Sequence, residues 1–177
     1  MERNSTKMMV EAGIMIALAQ ILSYVKIFEG PYGGSVTAGS MVPILIFSLR
    51  WGFKNGLLTG LAYGALQFIL GPKYSYHIVS LLFDYFVAFS VLGFAGLFSN
   101  SRLGSLLGSS LAIFLRFVCH VISGVVVFGA FAPETMNPLW YSTLYNASYL
   151  LPEMAISMFI VGVLYAPLKK ASPVRIN

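Results

Sequence analysis

The amino-acid sequence predicts an all-α integral membrane protein: about six transmembrane helices in one compact bundle, with both termini cytoplasmic. Three observations carry that prediction. The 177 residues are 58% hydrophobic and only 10% charged, with a mean hydropathy of +0.81, whereas a soluble domain carries about 25% charged residues. The apolar residues fall into stretches approaching the length of a bilayer core, which takes about 20 residues of helix. The cations sort to one side of those stretches. Such a composition excludes an ordinary soluble globule, a disordered chain and a nucleic-acid binder working through a basic face. A single cysteine, Cys119, excludes a disulfide framework and a Cys-rich metal site.

The expected spans lie near Met8–Phe28, Ser35–Leu49, Gly52–Leu70, His77–Phe98, Leu103–Phe131 and Trp140–Leu168. The second is short, and Pro43 within it predicts a kink or a tilted half-span. Turn chemistry separates the stretches, notably Glu29-Gly30-Pro31, Gly71-Pro72-Lys73, Ser99-Asn100-Ser101-Arg102 and Pro133-Glu134. A cleaved signal peptide is the rival reading of the first stretch. Glu11 interrupts its apolar region, and cleavage would leave an odd number of spans.

With an even number of spans, Arg3, Lys7, Arg50, Lys54, Arg102, Lys169, Lys170 and Arg175 share one side, against Lys26 and Lys73 on the other. The positive-inside bias makes the first side cytoplasmic. No repeat or low-complexity tract divides the chain, so residues 1–177 are expected to form one membrane-embedded domain.

Small residues four apart mark close helix approach in lipid, where packing drives association. Gly56, Gly60 and Gly64 have that spacing on the third span, as do Gly104 and Gly108 on the fifth, and contacts inside the bundle account for them. Gly13 and Ala17 on the first span suit either the interior or a docked partner.

Ionisable residues at membrane depth are costly, and they usually face a cavity or one another. Counting about 1.5 Å of rise per residue places Asp84, His120 and Asn146 in an upper polar layer and Arg116 with Glu153 in a lower one. Two readings of the lower layer stay open: an Arg116–Glu153 ion pair joining the last two helices, or an Arg116 that reaches a ligand. If the pair forms, Asp84 is an unbalanced negative charge that a cationic ligand would offset. His120, four residues from Arg116, suits a structural hydrogen bond as well as a ligand. Tyr74, Tyr76, Tyr85, Phe128, Phe131, Trp140, Tyr141, Tyr145 and Tyr149 crowd the same end, some as an interfacial belt and the rest available to stack on a flat cation. No phosphate-binding loop, zinc motif or dinucleotide fingerprint occurs, and no metal or cofactor is expected.

Several stretches together resemble one family. These are Gly33-Gly34-Ser35-Val36, Val42-Pro43-Ile44 with Ser48-Leu49-Arg50-Trp51-Gly52, Leu82-Phe83-Asp84-Tyr85, the run from Arg116 to Gly124, and Tyr141-Ser142-Thr143-Leu144-Tyr145-Asn146. In this order and spacing they resemble the thiamine-specific substrate-binding (S) component of energy-coupling factor (ECF) transporters, the ThiT family. The resemblance implies a six-helix bundle in the bacterial plasma membrane, with thiamine held near the outer face by Tyr74, Asp84, Tyr85, Arg116, His120, Phe128, Tyr141 and Asn146. It also implies a transmembrane coupling subunit and two cytosolic ATPase subunits as partners, with Gly13 and Ala17 on the docking face. Where the family can carry Trp, this chain has Gly34 and Phe128, and Trp140 is the expected replacement ring. The alternatives are an S component for another vitamin or precursor such as hydroxymethylpyrimidine, and a small intramembrane enzyme using Asp84 and His120. The latter has no nucleophile placed beside that pair, so a non-enzyme is expected.

Overall fold

A computed structural model of the chain describes residues 2–30, 34–71 and 73–171. Its elements are α1 (Glu2–Ser23), a hairpin of β1 (Lys26–Glu29) and β2 (Ser35–Thr37), α2 (Val42–Trp51), α3 (Phe53–Leu70), a fourth helical run from Ile78 to Phe98 (α4), α5 (Arg102–Phe128) and α6 (Pro138–Ala171). A single helical turn, Gly129–Phe131, prolongs α5. Among the described residues, four helices are long and apolar enough to cross a membrane: Asn4–Ser23, Ile78–Phe98, Arg102–Phe131 and Pro138–Pro167. The ten residues of α2 reach about 15 Å, half a hydrocarbon core. The polar side chains Lys54, Asn55 and Gln67 lower the apolarity of α3.

Two expected boundaries move. The first span ends at Ser23 rather than Phe28, and the second begins at Val42 rather than Ser35. The residues between them pair as an antiparallel hairpin, Lys26 opposite Thr37 and Glu29 opposite Ser35. Their β-branched members, Val25, Ile27, Val36 and Thr37, suit a pleated strand better than a helix. Pro43 does not kink α2. It stands in the first turn, where its missing N–H has no partner to lose.

The glycines of α3 set the core. A Cβ on Gly60 would strike the Phe89 carbonyl, one on Gly64 the Tyr85 carbonyl at 2.6 Å, and one on Gly56 the Gly93 Cα at 2.9 Å. Backbones of α3 and α4 therefore touch, with Tyr63, Phe89, Leu92 and Ala95 buried around them. Gly108 repeats the approach against the Ala95 carbonyl at 2.8 Å. Gly13 differs, with no atom of the chain within 4 Å of where its Cβ would be. Cation-bearing ends gather at one end of the bundle: Arg50 on α2 pairs with Glu11 on α1 at 3.1 Å, and Arg102 on α5 approaches Gly162 on α6.

Along α4 the helix changes winding. From Leu81 to Phe86 it is a π-helix, the Val87 N–H bonding the Leu82 carbonyl five residues back. Such wide turns are found chiefly at functional sites, and this one carries Asp84.

Candidate functional site

A cavity of about 250 Å³ opens between the hairpin and helices α3 to α6. All eight residues that the sequence singled out line it: Tyr74, Asp84, Tyr85, Arg116, His120, Phe128, Tyr141 and Asn146. They come from three helices and the loop before α4.

Asp84 is held by three side chains. Ser80 and Ser123 each donate a hydroxyl to its Oδ2 at 2.6 Å, and His120 Nδ1 lies 3.0 Å from its Oδ1. A carboxylate offers about four acceptor directions, so one remains on Oδ1. The Asp84 side chain is 20% exposed, toward the cavity it lines.

The tautomer of His120 follows from its other neighbour. Arg116 Nε lies 3.2 Å from His120 Nε2, and a guanidinium can only donate. Nε2 therefore accepts, and the proton sits on Nδ1, where it is donated to Asp84. The Arg116 guanidinium also rests over the Phe89 ring, 4.0 Å from its centre, a cation–π contact.

The expected split into two polar layers does not survive. The Arg116–Glu153 ion pair does not form: among the described residues the ion pairs are Lys26–Glu29 and Arg50–Glu11, and the neutral His120 meets Asp84 through a hydrogen bond. Arg116 shares a helical face with His120, one turn away, and turns toward it. Glu153, only 3% exposed, instead accepts from the Thr37 N–H, the Thr37 hydroxyl and the Ser40 hydroxyl. Those partners lie in residues that the sequence reading had placed inside a helix. Glu153 thus ties the end of the hairpin to the middle of α6 and forms part of the cavity wall.

Asn146 is 5% exposed, and its amide is engaged by the protein. Its Oδ1 accepts from Tyr149 Oη, and its Nδ2 donates to the Ser142 carbonyl at 2.8 Å. The aromatic residues divide by whether they border the cavity rather than by exposure, since Phe131 is itself 61% exposed. Tyr74, Tyr85, Phe128, Phe131, Tyr141, Tyr145 and Tyr149 line the cavity, whereas Tyr76 is 79% exposed and Trp140 64%. Trp140 is thus not the replacement ring. The space beside Gly34 is filled by Tyr149, on which a Gly34 Cβ would fall.

Sequence reasoning left Ser80, Ser123 and Thr37 out of the site. Ser80 stands four residues before its partner Asp84, and Ser123 three after His120, a spacing that puts it with His120 on the face of α5 that meets Asp84. Thr37 carried no such signal, because its partner Glu153 lies 116 residues away.

The family described as thiamine transporter protein (Thia_YuaJ) matches residues 9–172. Thiamine transporter ThiT of Bacillus subtilis (strain 168) is 41% identical over 173 residues, covering 89% of each chain. The thiamine transporter ThiT of Lacticaseibacillus paracasei is 28% identical over 171 residues, 88% of this chain and 85% of that one. A solved structure of ThiT from Listeria monocytogenes shares the fold with a TM-score of 0.80 at 24% identity, covering 94% of this chain and 97% of that one. Relatives named as transporters, together with the four membrane-length apolar helices, make this a bacterial plasma-membrane protein and not an enzyme. The match over residues 9–172 and the 41% identity to the Bacillus protein show that the chain belongs to the thiamine transporter protein family.

Proposed function

We propose that this chain is the high-affinity substrate-binding component of an ECF-type importer, taking thiamine from the extracellular side. The observation that supports this most directly is the Asp84 carboxylate, held by Ser80, Ser123 and His120 in an aromatic-walled cavity with one acceptor direction left over. Asp84 and Glu153 stand against Arg116 and Lys26 along the cavity lining, but Lys26 is already paired with Glu29, so a carboxylate remains to meet the one positive charge of the thiamine thiazolium. Asp84 faces that cation. Tyr85, Phe128 and the His120 ring pack against the flat rings, Tyr141 meets the aminopyrimidine with Asn146 bracing the wall behind it, and Tyr74 closes the cavity from its loop.

Calorimetric titration of thiamine into the purified protein tests the assignment. Asp84→Asn keeps the shape and removes the charge, and its affinity is expected to fall at least about tenfold, since hydrogen bonds to charged groups contribute roughly 1.5–3 kcal/mol. A folded Asp84→Asn protein that binds thiamine like the parent overturns the assignment.

In the same proposal the energy comes from a transmembrane coupling subunit and two cytosolic ATPases, docked on the α1 face that carries Gly13 and Ala17. Both residues are exposed, and Gly13 has open space around it. Ala17→Asp is expected to leave thiamine binding intact and to abolish co-purification with the coupling subunit. A complex that still assembles moves the interface elsewhere.

A further inference from the structure

We propose that Tyr149 supplies the aromatic face on which the flat cation rests, and that Gly34 is the residue that admits it. This rests on the thiamine reading above and names a specificity-determining pair within that site. Tyr149 lines the cavity while only 8% exposed. Its ring is held on three sides. It meets His120 edge-on at 6.3 Å and 73° and Tyr145 edge-on at 5.8 Å and 68°, and its Oη donates to Asn146 Oδ1. A ring fixed in this way loses little freedom when a ligand stacks on it.

The hairpin packs against the ring at its Cδ1 and Cε1 atoms, and the part left uncovered borders the cavity. Gly34 N donates to Tyr145 Oη at 3.1 Å, which brings the Gly34 backbone against the ring of Tyr149. A Cβ at Gly34 would fall on the Tyr149 Cε1 and Cδ1 atoms. The contact is with ring carbons anchored at both ends, so the ring has no free end to swing aside. A side chain on the hairpin at position 34 and a ring at position 149 are therefore mutually exclusive occupants of one place. In this chain the place belongs to α6.

The test uses the purified full-length protein, with thiamine titrated calorimetrically and thermal unfolding followed without ligand. Tyr149→Phe keeps the ring but gives up the bond to Asn146 Oδ1, and its affinity is expected to fall between those of the parent and Tyr149→Leu. Tyr149→Leu keeps apolar bulk without a π face and is expected to bind at least about tenfold more weakly, a difference that packing alone would not produce. Gly34→Trp is expected to lower both the unfolding temperature and the affinity. Combining it with Tyr149→Ala is expected to restore both, at least about fivefold in affinity over the Gly34→Trp single variant. The double variant also carries a spectroscopic signature. Neither Trp51 nor Trp140 lines the cavity, so a tryptophan at position 34 brings ligand-dependent fluorescence quenching that the parent lacks. Equal binding by Tyr149→Leu and Tyr149→Phe overturns the proposal, as does a double variant no better than Gly34→Trp alone. A parent protein that binds no thiamine overturns the functional reading and this proposal together.

Discussion

Arg116 donates its Nε–H to His120 Nε2 at 3.2 Å, and that bond keeps the ring proton on Nδ1, the nitrogen that faces Asp84. Without it, the imidazole is free to move its proton to Nε2 and turn a lone pair toward the carboxylate. We expect Arg116→Leu to weaken thiamine binding by about tenfold, the value of roughly one hydrogen bond to a charged group. Heteronuclear NMR of the imidazole nitrogens is expected to show Nδ1 protonated in the parent and mixed protonation in the variant. An unchanged tautomer in Arg116→Leu would mean that Asp84 alone sets it.

Glu153 braces the hairpin from the far side of the cavity. Glu153→Gln keeps the volume but removes the charge that accepts from the Thr37 N–H and hydroxyl. The expected loss is about 1.5–3 kcal/mol, concentrated at the end of β2. Hydrogen exchange at the Thr37 amide is expected to quicken by about tenfold or more, while amides in the middle of α5 keep their protection.

The two kinds of glycine on the helices predict opposite behaviour. Gly60→Leu forces a side chain into the Phe89 backbone, and overpacking of this kind costs about 1–3 kcal/mol. A Cβ at Gly13 has nothing within 4 Å among the described residues, and the effect of Gly13→Leu on stability is expected to stay within about 0.5 kcal/mol. Thermal unfolding in detergent separates the two. Loss of fold in Gly13→Leu would mean that α1 packs against the bundle by its Gly13 face.

The Arg50–Glu11 pair joins α2 to α1 with side chains only 14% and 13% exposed. Replacing Arg50 by Met leaves a buried carboxylate alone and is expected to cost about 3 kcal/mol, whereas replacing both residues by Met is expected to be close to neutral. Unfolding of the two single variants and the double variant completes that cycle. A double variant as unstable as Arg50→Met would show that the pair acts through more than charge balance.

Much of the site was legible from residue type and spacing. Asp84, Arg116 and His120 stood out because lipid should have excluded them, and the i, i+4 spacing of Arg116 and His120 already placed both on one face. The eight residues that the family resemblance implied line one cavity. Illegible were the partners that come from elsewhere in the chain. Glu153 looked like the natural partner of Arg116, since both are deep and opposite in charge. It pairs with Thr37 and Ser40 because the hairpin, expected as the start of a helix, delivers an N–H and two hydroxyls to it. Trp140 looked like a cavity ring by its position at the mouth of α6, yet it is 64% exposed.

By itself, the sequence determined the solvent, the span pattern, the buried charges and the resemblance to thiamine-specific S components. Each of these depends on composition or on order along one helix, both of which a linear chain displays. The tertiary structure alone decided which buried charges meet, which aromatic residues face the cavity, and that Tyr149 occupies the room left by Gly34. Those outcomes depend on how far each helix is rotated about its axis and how closely two backbones approach. Both are set by contacts such as Thr37–Glu153, 116 residues apart, which no local periodicity encodes.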